Sequence, residues 1–211
     1  MIYSIKPLIT ISGLTGTGKT SLLDELGARF SNARAFHSGM LYRLLAYDLI
    51  QMNQPLVPVN PEIIRIILDD PQIFSDLNDP EILRTIRAES YAQAATLAMT
   101  DPQWRALAGK FMERYVLRNE PGKDLTIIDT HRECRQYLPY CWLSIVLTAR
   151  KDVRYWRKYP STPKELEQRD EINKLQCLKN PFAVKIDTTR LTLPQVADIA
   201  EFMIRQRVIG R

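Results

Sequence analysis

An apolar run rich in β-formers, Leu8-Ile9-Thr10-Ile11-Ser12, passes directly into Gly13-Leu14-Thr15-Gly16-Thr17-Gly18-Lys19-Thr20 and then into a helical pattern. This strand, loop and helix constrain the chain more than any other feature it has. In a GxxxxGK(S/T) loop the glycines let the backbone wrap so that successive N–H groups point inward at an anion. The lysine reaches the outer phosphates and the Thr hydroxyl can ligate Mg²⁺. From Thr20 to Phe30, Leu22, Leu23, Leu26 and Phe30 recur at helical spacing, so the loop opens onto a helix N-terminus whose dipole also favours an anion. Gly13, Leu14, Thr15, Gly16, Thr17, Gly18, Lys19, Thr20 and Ser21 are therefore read as the phosphate site of a nucleotide, with Thr20 as a metal ligand. A flexible Gly/Thr turn is the bland alternative.

Four further strand-like runs, at 34–36, 125–129, 143–148 and 183–187, alternate with helical patterns. Alternation of this kind predicts an α/β fold: a P-loop NTPase three-layer α/β/α sandwich around a five-stranded parallel sheet. Helix starts are marked by Asn60-Pro61, Asp79-Pro80 and Asp101-Pro102, each a capping side chain before a proline, and by Thr192-Leu193-Pro194-Gln195 as a capping box. The last helix carries Val196, Ile199, Ala200 and Met203 as its expected buried stripe. At 211 residues the chain is one domain with room for insertions. Core segments at 1–50, 119–154 and 177–211 are separated by a helical insert at about 51–118, extended only at Ile73-Phe74, and a short lid at about 155–176.

Hydrophobic residues make up 45% and charged residues 25%, and no apolar run approaches the roughly 18 residues of a membrane span, so a soluble protein without a membrane partner is expected. The N-terminus runs straight into a strand, which argues against a signal peptide, and Cys134, Cys141 and Cys177 have no metal-binding spacing. An odd number of unclustered thiols suits a reduced, cytoplasmic protein. A net charge of +5 favours an anionic ligand. Arg150, Arg154, Arg157 and Lys158 share one helical face, either as a phosphate-facing lid or as a solvated basic surface. No nucleic-acid-binding motif is present, so nucleic acid is not the expected partner. Two further groups can handle phosphate or metal. Asp129 ends an apolar strand, where P-loop proteins hold Mg²⁺. Ser38 and Arg43, at the start of another helix, can read a sugar or base edge and a phosphate, or merely cap the helix.

Together these segments resemble the bacterial-type cytidylate kinases. The loop is similar to that family's GPAGSGKS-like loop, and Ser38-Gly39-Met40-Leu41-Tyr42-Arg43 to its (S/T)GAxYR motif. Ile86-Arg87, Ala94-Ala95-Thr96, Pro102 and Arg105 follow its IRT…AAS…P.VR segment. Leu147-Thr148-Ala149 with Arg154 and Arg157 resembles LTAS.EERA.RR, and Asp187-Thr188-Thr189-Arg190-Leu191 resembles DTTGL. The resemblance implies Mg²⁺-dependent transfer of the γ-phosphoryl of ATP to a nucleoside monophosphate, CMP or dCMP, by a monomer. It implies that Lys19, Thr20 and Asp129 serve ATP and metal, and that Arg154 and Arg157 balance charge on the transferring group. Arg43 would hold the acceptor's phosphate, with Ser38, Thr96 and Arg105 around the acceptor and the insert as its binding region.

The chain departs from that family on the acceptor side. Where the family has DGRD.GT, this sequence has Asp129-Thr130-His131-Arg132-Glu133-Cys134-Arg135, so His131 replaces an arginine and Arg132 an aspartate. An acceptor of hydrogen bonds becomes a donor, which suits a base offering acceptors, such as uracil or thymine. Alternatively Arg132 takes over the phosphate contact. In the lid, Arg169 and Asp170 align with the family's RD.RD.NR run, whereas anchoring on Asn173-Lys174 puts Glu171 in the acidic position. Two other readings stay open: a kinase for a different phosphorylated acceptor, and a regulatory ATP-binding homologue without transfer.

Overall fold

The computed structural model describes residues 6–77, 79–98, 100–117, 121–130, 141–158, 164, 167, 170 and 183–209. Contacts divide the chain into two compact units, Met1–His37 with Leu117–Arg211, and Ser38–Val116.

The first unit holds five strands: β1 (Leu8–Gly13), β2 (Ala33–His37), β3 (Leu125–Asp129), β4 (Cys141–Thr148) and β5 (Val184–Asp187). They form one sheet in the order β2-β3-β1-β4-β5, and every pair is parallel. Helix α1 (Lys19–Arg29) and the C-terminal helix (Leu193–Ile204) bury Leu22, Leu23, Leu26, Val196, Ala197 and Ala200 in one cluster with Ile9, Ile11, Ile127, Ile145 and Leu147. Leu8, Phe36, Ile128 and Val146, of opposite parity on their strands, are buried as well. A strand buried on both faces reads as a nearly continuous apolar run, which is why these strands stand out in the sequence. The chain leaves β1 toward β2 on one side, while β3 leads to β4 on the other. The carboxyl ends of β1, β3 and β4 therefore meet at the topological switch point, where α/β sheets bind ligands.

The C-terminal helix buries Val196 and Ala200 of the expected stripe and packs Met203 partly against the same cluster, but it adds Ala197 and Ile204 and leaves Ile199 out. Val196, Ala197, Ala200 and Ile204 face the sheet, whereas Ile199 is 36% exposed. Alanines at 197 and 200 allow close approach to the sheet, so the helix seats on its small residues and turns Ile199 outward. Its capping box holds in that Gln195 Oε1 accepts from the Thr192 N–H at 2.9 Å.

Every regular element among the described residues of the second unit is a helix: α2 (Ser38–Gln51), α3 (Pro61–Asp69), α4 (Gln72–Asp76), α5 (Pro80–Ile86), α6 (Glu89–Ala98) and α7 (Pro102–Leu117, whose last residue falls to the first unit). The three Asx-Pro starts cap as expected. Asn60 accepts from the Glu62 N–H, Asp79 from Glu81 and Ile82, and Asp101 from Gln103. Ile73-Phe74 is helical rather than extended. Asp70 Oδ1 accepts from the Gln72 N–H at 2.8 Å and starts a turn of helix, which buries Ile73 and stacks Phe74 on Phe111 with ring centroids 5.2 Å apart. Packing overrides the β-propensity of that pair. Trp104 and Phe111 are the largest fully buried side chains of this unit. Helix α8 (Lys151–Arg157) belongs to the first unit, and the C-terminal helix is α9.

Candidate functional site

The loop between β1 and α1 turns on three glycines in the left-handed range of φ. Gly13, Gly16 and Gly18 have φ of 146°, 81° and 99°. At two of these positions space as well as torsion excludes a side chain. A Cβ on Gly13 would lie 2.4 Å from the Leu147 carbonyl oxygen, and one on Gly16 would lie 2.7 Å from that of Arg154. The Thr17 hydroxyl donates to the Leu14 carbonyl at 2.8 Å, and Lys19 Nζ donates to the same oxygen at 3.1 Å. Lys19 is buried, while Thr20 and Ser21 are exposed in the first turn of α1. A glycine-built loop at a helix N-terminus with a buried ammonium beside it is an arrangement suited to a polyphosphate.

Outside the loop, Arg154 of α8 donates to its backbone directly, and Arg157 reaches it only through Thr188. Arg154 is buried; its Nη1 donates to the Thr15 carbonyl at 3.0 Å and to Asp170 Oδ2 at 2.7 Å. Arg157 donates to the Thr188 hydroxyl at 2.9 Å and carbonyl at 2.7 Å, and the Thr188 hydroxyl donates to the Thr17 carbonyl at 3.1 Å. Arg150, also on the basic face foreseen from the sequence, bonds instead to Asp152 at 3.1 Å. The face is thus divided: Arg154 at its centre is buried against the loop, while Arg150 and Lys158 are exposed.

On the neighbouring strand, Asp129 is buried at the carboxyl end of β3, its Cα paired with Ile11 of β1 and with His37 of β2. His37 bridges two carboxylates, with Nδ1 3.3 Å from Asp129 Oδ2 and Nε2 2.8 Å from Asp24 Oδ1 on α1. Burial alone would lower the imidazole pKa, yet the hydrogen bonds and charges of Asp129 and Asp24 outweigh it and hold the value above that of a free histidine. Asp129 and Thr20 offer a carboxylate and a hydroxyl, the hard oxygens that suit Mg²⁺. No cluster of three or more His, Cys, Asp or Glu side chains fit for a metal occurs among the described residues. Mg²⁺ at such sites takes only one or two protein oxygens and completes its shell with phosphate and water, so this donor set fits it.

A nucleotide loop, a strand-end aspartate and an arginine-bearing helix now stand on one sheet edge, and the sequence model of the cytidylate kinases matches residues 9–206, all of them included. The chain belongs to the cytidylate kinase family. Kinases of this family bind ATP and a nucleotide substrate, which makes the chain a nucleotide kinase by family. No curated protein matches it in sequence. Among solved structures it is similar to TT1252 from Thermus thermophilus, at 14% identity and TM-score 0.49, covering 95% of this chain and 97% of that one. An uncharacterized protein from Eubacterium ventriosum gives 11% and 0.49 over 96% and 100% of the two chains. Thymidylate kinase from Candida albicans gives 14% and 0.48 over 95% and 92%. No described helix is long and apolar enough to cross a membrane.

Of the residues that the cytidylate kinase resemblance assigns to the acceptor, Ser38, Arg43, Thr96 and Arg105 fall in the second unit, Asp170 falls in the first, and the rest lie outside the described residues. Ser38 is buried at the start of α2, and Arg43, one turn on, donates to the carbonyls of Ile86 and Arg87 at 3.2 and 3.0 Å. The Thr96 hydroxyl donates to the Ala92 carbonyl at 2.7 Å and Arg105 Nη1 to the Thr100 carbonyl at 3.0 Å. His131, Arg132 and Arg169 lie outside the described residues. Asp170 pairs with Arg154. Two participants escaped the sequence reading. Thr188 lay inside a quoted motif without a role, and His37 acquires one only from the β2–β3 register that sets it beside Asp129.

Proposed function

We propose that this nucleotide kinase transfers the γ-phosphoryl group of ATP to the phosphate of a nucleoside monophosphate, with CMP or dCMP as acceptor: CMP + ATP gives CDP + ADP. The observation that carries the reading is the phosphate nest at Gly13 to Thr20, with Lys19 buried across it, beside a strand-end Asp129. In this reading the acceptor phosphate attacks the γ-phosphorus, the bond to the β–γ bridging oxygen breaks, and ADP leaves. Little covalent chemistry is asked of the protein, so it acts by alignment and by fixed charge.

Lys19 and the loop amides hold the donor phosphates and offset the charge that builds on them. Thr20 and Asp129 would hold Mg²⁺, which when bound neutralises phosphate charge and orients the polyphosphate. His37, through Nδ1, fixes the rotamer of Asp129. Arg154 and Arg157 act on the donor phosphates from behind, through the loop backbone they brace. Residues 51–118 form the acceptor-binding insert and 155–176 the lid. Arg43 meets the acceptor phosphate, Ser38, Thr96 and Arg105 the nucleoside, and His131, Arg132 and Arg169 complete the acceptor side.

A second acceptor class has one specific feature in its favour. Arg132 stands where cytidylate kinases carry an aspartate, and a donor-only side chain pairs better with the carbonyls of uracil or thymine. Turnover of CMP, dCMP, UMP, dTMP, AMP and GMP with Mg-ATP decides between them. The first reading expects kcat/KM for CMP or dCMP at least tenfold above the others. A preference for UMP or dTMP that Arg132→Asp reverses establishes the second.

A further inference from the structure

Arg154 is a cation almost wholly removed from water; besides lying 6.0 Å from the Tyr155 ring centroid, it has two hydrogen-bond partners, and both are specific. The guanidinium is 7% exposed and the Asp170 carboxylate 6%, 2.7 Å apart. The same Nη1 reaches the Thr15 carbonyl at 3.0 Å. Contact on this side is close, because any side chain at Gly16 would strike the Arg154 backbone. Lys151 and Tyr155, on α8, also reach Glu167, at 2.6 and 3.3 Å, but those contacts are exposed and weak. The buried pair differs in kind, since removing one member strands the other as an uncompensated charge. Arg154 Nε and Asp170 Oδ1 find no hydrogen-bond partner among the described residues, so the pair is held chiefly by each other and by the loop.

We propose that Asp170 is a positioning residue of the donor site: its carboxylate holds the Arg154 guanidinium on the Thr15 carbonyl, making Arg154 a strut of the loop rather than a ligand of phosphate. The proposal rests on the donor-site reading above. A loop that turns its amides toward an anion must turn carbonyls the other way, and buried carbonyls need donors. Arg154 supplies one at Thr15 and Thr188 supplies one at Thr17, so the peptides flanking the nest are pinned from outside. Asp170 also cancels the charge that would draw Arg154 to a phosphate. The assignment takes Asp170 away from the acceptor, where alignment of the lid had set it.

Calorimetric titration of the full chain with Mg-ATP, and separately with CMP, tests this. Asp170→Asn should weaken ATP about tenfold and shift CMP affinity less than twofold. Arg154→Met should do the same, and the double variant should bind ATP no more weakly than Arg154→Met alone, because the two residues act through one contact. ATP affinity within twofold of the parent in Asp170→Asn, or additive losses in the double variant, overturns the proposal. Should Asp170→Asn fail to fold, Arg154→Lys decides: its shorter side chain carries the ammonium short of the point where Nη1 now meets both Thr15 and Asp170, so the same tenfold loss is expected and unchanged ATP binding overturns it. Absence of transfer to every acceptor would sink the kinase reading while leaving these ATP affinities to judge the strut.

Discussion

Gly16 shows how much of this site is decided by single residues. Its φ of 81° is one that side-chain-bearing residues rarely adopt, and the Arg154 backbone fills the space where a Cβ would go. Gly16→Ala combines strain of about 1–3 kcal/mol with a displaced Arg154, so ATP affinity should fall at least tenfold by calorimetry. Circular dichroism should remain that of the parent, because the strand and helix on either side are untouched. Asp48 offers a residue-scale test of stability. Burial first, then the charges of Asp76 and Asp70, raise its carboxyl pKa from 3.8 to about 6. A folded-state value above the unfolded one means the folded chain holds its proton longer. The stability this gives is complete below pH 3.8 and is lost as pH rises through about 6. Asp48→Asn removes the penalty of the charged form. Denaturant unfolding should therefore find the variant more stable on the order of 1–2 kcal/mol at pH 7, allowing for partial exposure, and no more stable at pH 4.

Elements carry the part of the fold that could be read before any coordinates. Strand β3 runs over the five residues expected of it, and β4 starts two residues early because Cys141 still pairs with Leu8 across an irregular register. Doubly buried strands and Asx-Pro helix starts are local signals, written in consecutive residues. Strands, loop and capping positions were legible for that reason. Within α9, Val196 and Ala200 were legible too, whereas the outward turn of Ile199 was not, because it depends on which small residues the sheet admits. Packing at this scale predicts contrasting costs. Leu26→Ala, in the cluster beneath α1, should destabilise by about 2–5 kcal/mol, whereas Ile199→Ser on the outer side of α9 should change stability by no more than about 0.5 kcal/mol. Equal costs in denaturant unfolding would mean that α9 seats on the stripe first read from the sequence.

At the scale of the whole molecule, the candidate site divides into what a motif can specify and what only the folded chain brings together. The loop needs neighbours in sequence. Its braces do not, since Arg154 meets Thr15 across 139 residues and Thr188 meets Thr17 across 171. Sequence placed Arg154 and Arg157 near phosphate chemistry, yet the bond of Arg154 to the Thr15 carbonyl and the link of Arg157 through Thr188 to that of Thr17 depend on α8 and the β5 exit converging on the same turn. His37 is a similar case, a strand-end residue whose partners Asp129 and Asp24 come from β3 and α1. The central claim is that this assembly is the donor half of a phosphoryl-transferring enzyme. Its most direct test follows the γ-phosphoryl of labelled Mg-ATP into CDP with CMP as acceptor, in the parent chain and in Lys19→Ala. The account predicts label in CDP with the parent and a loss of about 10²–10³-fold in kcat/KM with Lys19→Ala. Tight ATP binding by the parent, with no label passed to CMP or to any other nucleoside monophosphate, would contradict it.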